Sequence, residues 1–333
     1  MSQSNKSWTA GAAALAAVLA VFFALAGAAE ANPDRWRYEW PKTDFSKTSI
    51  DFGEIISGGP PKDGIPSIDN PKFVPVAEMD DLAPTEPVIG LVVNGDARAY
   101  PLRILTWHEI ANDTIGGVPV AVTYCPLCNS AVVYDRRVDG EATEFGTTGK
   151  LRNSDMVMYD RATESWWQQF IGEGIVGKRT GVRLKILPSR LESWERFAKR
   201  HPGGKVLVPN NSFARPYGAN PYVGYDGSSV PFLYIGSYPD NIAPMARVVA
   251  IGNQAWALDL LRKKGKVKTG DIVLTWEAGQ NSALDSRAIS EGRDVGNIVA
   301  QRQSADGLTD LAYDVTFAFV FHACRPDGVW HIE

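Results

Sequence analysis

Thr123-Tyr124-Cys125-Pro126-Leu127-Cys128-Asn129-Ser130-Ala131 recurs, without its thiols, as Thr275-Trp276-Glu277-Ala278-Gly279-Gln280-Asn281-Ser282-Ala283. In each stretch an apolar run, Val120-Ala121-Val122 or Ile272-Val273-Leu274, leads into Thr-aromatic, a tight segment and Asn-Ser-Ala. The frame survives the loss of both cysteines, which makes Cys125 and Cys128 candidates for chemistry rather than for folding. The echo continues outward. Ala97-Arg98-Ala99-Tyr100-Pro101-Leu102 matches Ala255-Trp256-Ala257-Leu258-Asp259-Leu260, and Trp194-Glu195-Arg196-Phe197 resembles Ala318-Phe319-Val320-Phe321. Gaps in the second copy fall on the segment holding Trp107-His108-Glu109 and on the one from Asn153-Ser154-Asp155 to Trp166-Trp167-Gln168-Gln169. A duplication read this way predicts two related halves, 85–206 and 246–333, forming a degenerate internal repeat. A connector rich in Pro, Gly, Asn and Tyr, 207–245, joins them.

Short strand-like runs dominate from Val88 onward: Val88 to Val93, Ala97 to Tyr100, Val118 to Thr123, Ala131 to Tyr134 and Met156 to Tyr159. Asn94-Gly95-Asp96, Gly116-Gly117 and Val138-Asp139-Gly140-Glu141 separate runs as hairpin turns do. Few helices are expected. Pro101 suits the first position of one over Leu102 to Ile110, and Ser189 suits the cap of another running through Trp194 and Phe197. Residues 32–84, rich in Pro, Gly, Asp and Ser, read as an irregular lead-in that wraps the body. The expected class is α+β and β-dominated, with mostly antiparallel strands in the two halves.

A chain of 333 residues, 44% hydrophobic with a net charge of −4, can bury a core and offers no basic surface for nucleic acid. Lys6, an uncharged run from Ala10 to Ala29, and Ala29-Glu30-Ala31 form the pattern of a secretory signal, so residues 1–31 are expected to direct export to the periplasm or the exterior. The run is long for a signal, and residues 8–29 can instead serve as an uncleaved membrane anchor. Three cysteines in an oxidising compartment leave at least one outside any disulfide.

Cys125 and Cys128 can close a small disulfide, chelate a soft ion or exchange with another thiol. Asn129-Ser130-Ala131-Val132-Val133-Tyr134 reads as strand, so the helix dipole that activates an exchanging thiol is not expected. His108 lies in a segment that the second copy lacks. With the two thiols it would form a set of two sulfurs and one nitrogen, suited to copper or zinc, and Glu109 or Asp155 would complete or orient it. Met156 and Met158 can add thioether contacts, although core packing is the commoner use. Gly172-Glu173-Gly174-Ile175-Val176-Gly177 fits a dinucleotide pattern in letters alone, so no nucleotide is expected. Cys324 reads as a buried structural thiol.

The blocks Trp107-His108-Glu109-Ile110-Ala111-Asn112-Asp113, Thr123 to Ser130 and Asn153 to Arg161, in that order, resemble the domain of unknown function 3179 family over roughly residues 70 to 270. The resemblance implies no settled activity. It does imply that His108, Cys125, Cys128 and Asp155 fall in the family's motif blocks. The expected function is therefore an exported metal-binding protein with a site of two cysteines and one histidine, copper ahead of zinc, with metal-assisted catalysis if a coordination position stays open. The alternatives are a thiol-disulfide oxidoreductase using Cys125 and Cys128, and a cell-envelope interaction domain with a structural disulfide.

Overall fold

The structure, a computed structural model, describes residues 33–333, so the expected signal or anchor, 1–31, lies outside the described residues. Two-residue turns with positive φ at both positions close four hairpins: Asn94-Gly95 (50° and 84°), Gly116-Gly117 (53° and 81°), Asp139-Gly140 (54° and 86°) and Asn153-Ser154 (54° and 62°). Such turns match the right-handed twist of the strands they join. The Asp139-Gly140 hairpin stands apart as a two-stranded sheet, and the other strands assemble into five small sheets in a five-bladed, propeller-like arrangement.

In the order of pairing, blade 1 holds Ile55–Ser57, Phe145–Arg152, Asp155–Asp160, Trp166–Gln168 and Glu173–Val176. Blade 2 holds Lys185–Leu187, Ser130–Asp135, Val118–Cys125 and Ile110–Ile115. Blade 3 holds Ser189–Ser193, Pro87–Val93, Asp96–Pro101, Lys205–Val208 and Lys72–Pro75. Blade 4 runs Asp314–Phe317, Arg247–Ile251, Gln254–Ala257, Val329–His331, and blade 5 runs Lys266–Thr269, Ile272–Glu277, Asn297–Ser304, Gly307–Asp310. Pairing is antiparallel except where Lys205–Val208 meets Asp96–Pro101 and Val329–His331 meets Gln254–Ala257. Helices are few and short, such as Leu102–His108, Trp194–Arg200, Leu258–Lys264 and Ala318–Cys324.

The division into two related halves is not what organises the chain. Five sheets cannot be shared equally between two halves, and blade 1 is drawn from residues 55–57 and 145–176 with nothing equivalent after residue 246. The echo in the sequence has a local origin. Ala97 to Leu102 and Ala255 to Leu260 are two strand-to-helix junctions, each a blade strand running straight into a seven-residue helix.

Two helix boundaries also differ from expectation. The first helix stops at His108 because Glu109 leaves helical geometry, with φ 58° and ψ −32°, and Pro101 precedes the helix instead of starting it. Ser189–Ser193 is a strand paired with Pro87–Val93, since Leu191 is buried in the core, and the helix starts only at Trp194. The lead-in is less irregular than its composition suggests. It supplies Ile55–Ser57 and Lys72–Pro75 as strands of two blades and packs Trp40 and Phe45 edge-on against Trp166.

A central core gathers Ile89, Tyr100, Leu105, Val122, Tyr124, Trp256 and Leu274. A second, more aromatic core joins Cys125, Leu127 and Cys128 to Tyr134, Phe145, Trp167 and the Phe317, Phe319, Phe321 run. The cysteine turn therefore lies inside the packing of blades 1, 2 and 4.

Candidate metal centre

Cys125 ends one strand of blade 2 and Ser130, paired with it, begins the next. The four residues between them form a tight turn in which Cys128 N donates to Cys125 O (3.2 Å) and Asn129 N to Pro126 O (3.1 Å), with Asn129 at φ 51°. Blade 4 clamps this turn. Thr316 Oγ1 and Phe317 N donate to Cys128 O at 2.8 and 3.1 Å, and Asn129 Nδ2 donates to Val315 O at 2.7 Å. The pair sits on a hairpin turn, and neither cysteine is part of a helix. Both thiols are free and buried.

Blade 1 brings the third member. The turn between Phe145–Arg152 and Asp155–Asp160 is Asn153-Ser154, with φ 54° and 62°. Glycine is the usual second residue of such a turn, so Ser154 is held there against its preference. Its carbonyl faces the sulfurs, 3.9 Å from Cys125 Sγ and 3.5 Å from Cys128 Sγ. Its hydroxyl is fixed by donation to Phe232 O (2.6 Å). The next residue, Asp155, is wholly buried and its two oxygens differ in surroundings. Oδ2 accepts from Gln168 Nε2 (2.5 Å) and Phe170 N (3.0 Å), whereas Oδ1 faces Cys128 Sγ at 3.4 Å. One sulfur of each cysteine and one Asp155 oxygen lie within 4.8 Å of one another.

Burial raises the proton affinity of every acid in this group. It pushes the Asp155 carboxyl up to about 6 against the hydrogen bonds from Gln168 and Phe170. It also lifts the Cys125 thiol and, further, the Cys128 thiol. Glu109, at the end of helix Leu102–His108, is pushed up to about 8 by burial and then by the charge of Asp155. Cys324, last residue of helix Ala318–Cys324, reaches about 12 from burial and the same charge. Metal-free, the two thiols and Glu109 hold their protons at neutral pH in a low-dielectric pocket, and Asp155 is the acid of the group that ionises first.

The structure does not bring His108 to the thiols. Its Nδ1 is bonded to Pro66 O (2.7 Å), its Nε2 to the Tyr217 hydroxyl (2.8 Å), and its ring stacks on Tyr217. Both nitrogens are engaged away from the thiols, and the third group beside the two sulfurs is an Asp155 oxygen. Glu109 is within electrostatic reach of Asp155 and Cys125 but stands outside the donor set. Met156 and Met158 are buried in the aromatic core. Sequence reasoning missed Tyr222, one of five tyrosines of the connector, whose hydroxyl feels the charges of Glu109 and Cys125. Nothing in its neighbours sets it apart.

The chain belongs to the family described as protein of unknown function (DUF3179), whose model matches residues 62–328, most of its length. No curated protein and no solved structure matches the chain.

Proposed function

We propose that the protein is an exported metal-binding protein whose centre is Cys125, Cys128 and Asp155, with zinc as the resident ion. The carrying observation is the donor geometry. Zinc bonds of about 2.3 Å to sulfur and about 2.1 Å to oxygen place tetrahedral donors roughly 3.6–3.8 Å apart. Cys128 Sγ and Asp155 Oδ1 already stand 3.4 Å apart, and all three donors fit within 4.8 Å. Gln168 and Phe170 hold Oδ2 and so aim Oδ1, the kind of outer hydrogen bonding that orients metal ligands.

The sequence alone favours copper. Exchanging the nitrogen of His108 for a carboxylate oxygen hardens the donor set, which suits zinc better than copper(I). Three protein ligands are also the number found where zinc keeps a fourth position for water or substrate. Burial and raised proton affinity speak against the thiol-exchange reading, because the thiolate is the attacking species and it must be reached. Export rests on the pattern of residues 6–31.

The test is metal content by mass spectrometry, with free-thiol titration, on protein exported to the periplasm. About one zinc per chain is expected, lost in Cys125→Ser and retained in His108→Ala. A metal-free wild type, or metal lost on removing His108, overturns the reading.

A further inference from the structure

Beside the cysteine turn lies a cavity of about 170 Å³ that the metal reading leaves unused. Its walls are mainly apolar: Ile65, Leu127, Leu151, Met156 and Leu233. Two of them border the proposed centre, Leu127 lying between the cysteines and Met156 following Asp155. Into this apolar space project two polar groups that have nothing to bind. Glu109 is 8% exposed, and among the described residues its carboxyl has neither a hydrogen-bond nor an ion-pair partner. The Tyr222 hydroxyl, electrostatically coupled to Glu109, also lacks one. Buried polar side chains are nearly always partnered, so the Glu109 carboxyl, unpartnered on a nine-tenths buried residue, marks the place of an absent partner, and the half-buried Tyr222 lines the same cavity.

The backbone of Glu109 supplies a second, independent observation. It ends helix Leu102–His108 at φ 58°, ψ −32°, donating to Leu105 O and accepting from Tyr124 N. Gly265 ends helix Leu258–Lys264 at φ 68°, ψ −38°, donating to Leu261 O and accepting from Trp276 N. The same turn is made twice, once by glycine, for which it is easy, and once by a glutamate, for which it is strained. The carboxyl is placed there at a cost.

We propose that this cavity binds a small organic amine, its apolar body seated among Ile65, Leu127, Leu151 and Met156 and its ammonium group received by the Glu109 carboxylate and the Tyr222 hydroxyl. The sign follows from the surroundings. Asp155 adds a second acid nearby, and the only basic residue on the wall, Lys150, already pairs with Glu39 at 3.0 Å and lies over the Trp40 and Trp166 rings. The size follows from the volume, since an apolar cavity of about 150 Å³ accepts benzene. An apolar pocket with a few convergent polar groups is the usual make-up of a small-molecule site. The proposal stands apart from the metal centre and does not need an ion to be present.

The probes are benzylamine, benzyl alcohol and toluene, titrated into the full chain by calorimetry and ligand-observed NMR. Benzylamine is expected to bind one per chain and more tightly than benzyl alcohol. Glu109→Gln should weaken benzylamine by roughly tenfold or more and leave benzyl alcohol unchanged. Ile65→Trp, which adds bulk to the apolar wall and leaves both polar groups unchanged, should abolish binding of all three. Cys125→Ser should remove the metal and spare benzylamine, so the two readings fail separately. Equal affinity for benzylamine and benzyl alcohol, no weakening in Glu109→Gln, no saturable binding, or binding that survives Ile65→Trp each overturns the proposal.

Discussion

Replacing Glu109 by Gln should remove a pH dependence from the stability of the metal-free protein. The wild-type carboxyl is raised from 4.5 to about 8 on folding. Across that window the folded chain keeps a proton that the unfolded chain has released. Stability from this group is therefore full below about pH 4.5 and is lost as pH rises through about 8. At about 1.4 kcal/mol per pH unit the loss is at most about 5 kcal/mol, and water entering the adjoining cavity reduces it to roughly 2–4 kcal/mol. Glutamine has the same shape and no titration. Urea unfolding of both proteins, reduced and metal-free, between about pH 4.5 and 8 measures the difference. The wild type should lose stability along the whole range. The variant should keep the smaller falls due to Asp155 and Asp314, both of which end near pH 6. Parallel curves for the two proteins would refute the reasoning, because they would mean that the carboxyl is solvated or paired in the native state.

Gln168→Leu removes the donor that holds Asp155 Oδ2, while Phe170 N remains. Zinc affinity measured by chelator competition should fall by roughly 10–100-fold with the circular dichroism of the fold retained, and an unchanged affinity would show that Asp155 is not a ligand. Gly149→Ala tests the packing of the lead-in on blade 1. Gly149 has φ 69°, and a Cβ there would lie 1.8 Å from Pro60 O. A loss of roughly 2 kcal/mol or more in thermal or urea unfolding is expected; a loss well below 1 kcal/mol would mean that the Pro60 loop is free to move aside.

Hairpins and their partners were legible because their determinants are local. Asn94-Gly95, Gly116-Gly117 and Asp139-Gly140 carry their own backbone preference, and the short apolar runs of Pro87–Val93 and Ser130–Asp135 need no distant information. The number of sheets was not legible. Ala97 to Leu102 and Ala255 to Leu260 look like a doubled chain, yet they specify only a strand entering a helix, and nothing local in Ile55–Ser57 announces pairing with Phe145–Arg152 some 90 residues on. The site divided in the same way. Cys125 and Cys128 are held together by their own turn, so spacing was enough to nominate them. Asp155 was found only as a member of a block, because its approach to Cys128 depends on blades 1 and 2 packing together. His108 was expected beside the thiols for a local reason: it adjoins Glu109 in sequence, yet the helix ends between them, and His108 meets Tyr217 while Glu109 lines the cavity.

That turn and the one at Ser154 locate the functional region without reference to any relative. Each is a left-handed position held by a residue with a side chain, and each such position costs about 1–3 kcal/mol that the rest of the fold must offset. Ser154 points a carbonyl at both sulfurs and leads directly into Asp155; Glu109 points a carboxyl into the cavity beside them. Glycine would relieve the strain at either place, and at the matching helix end the chain does use Gly265. A stability argument alone would therefore favour glycine at Glu109. The glutamate is explained by what its side chain meets, an apolar cavity next to two thiols and an aspartate, and on this reading the proposed metal centre and the cavity form one region at the junction of blades 1 and 2.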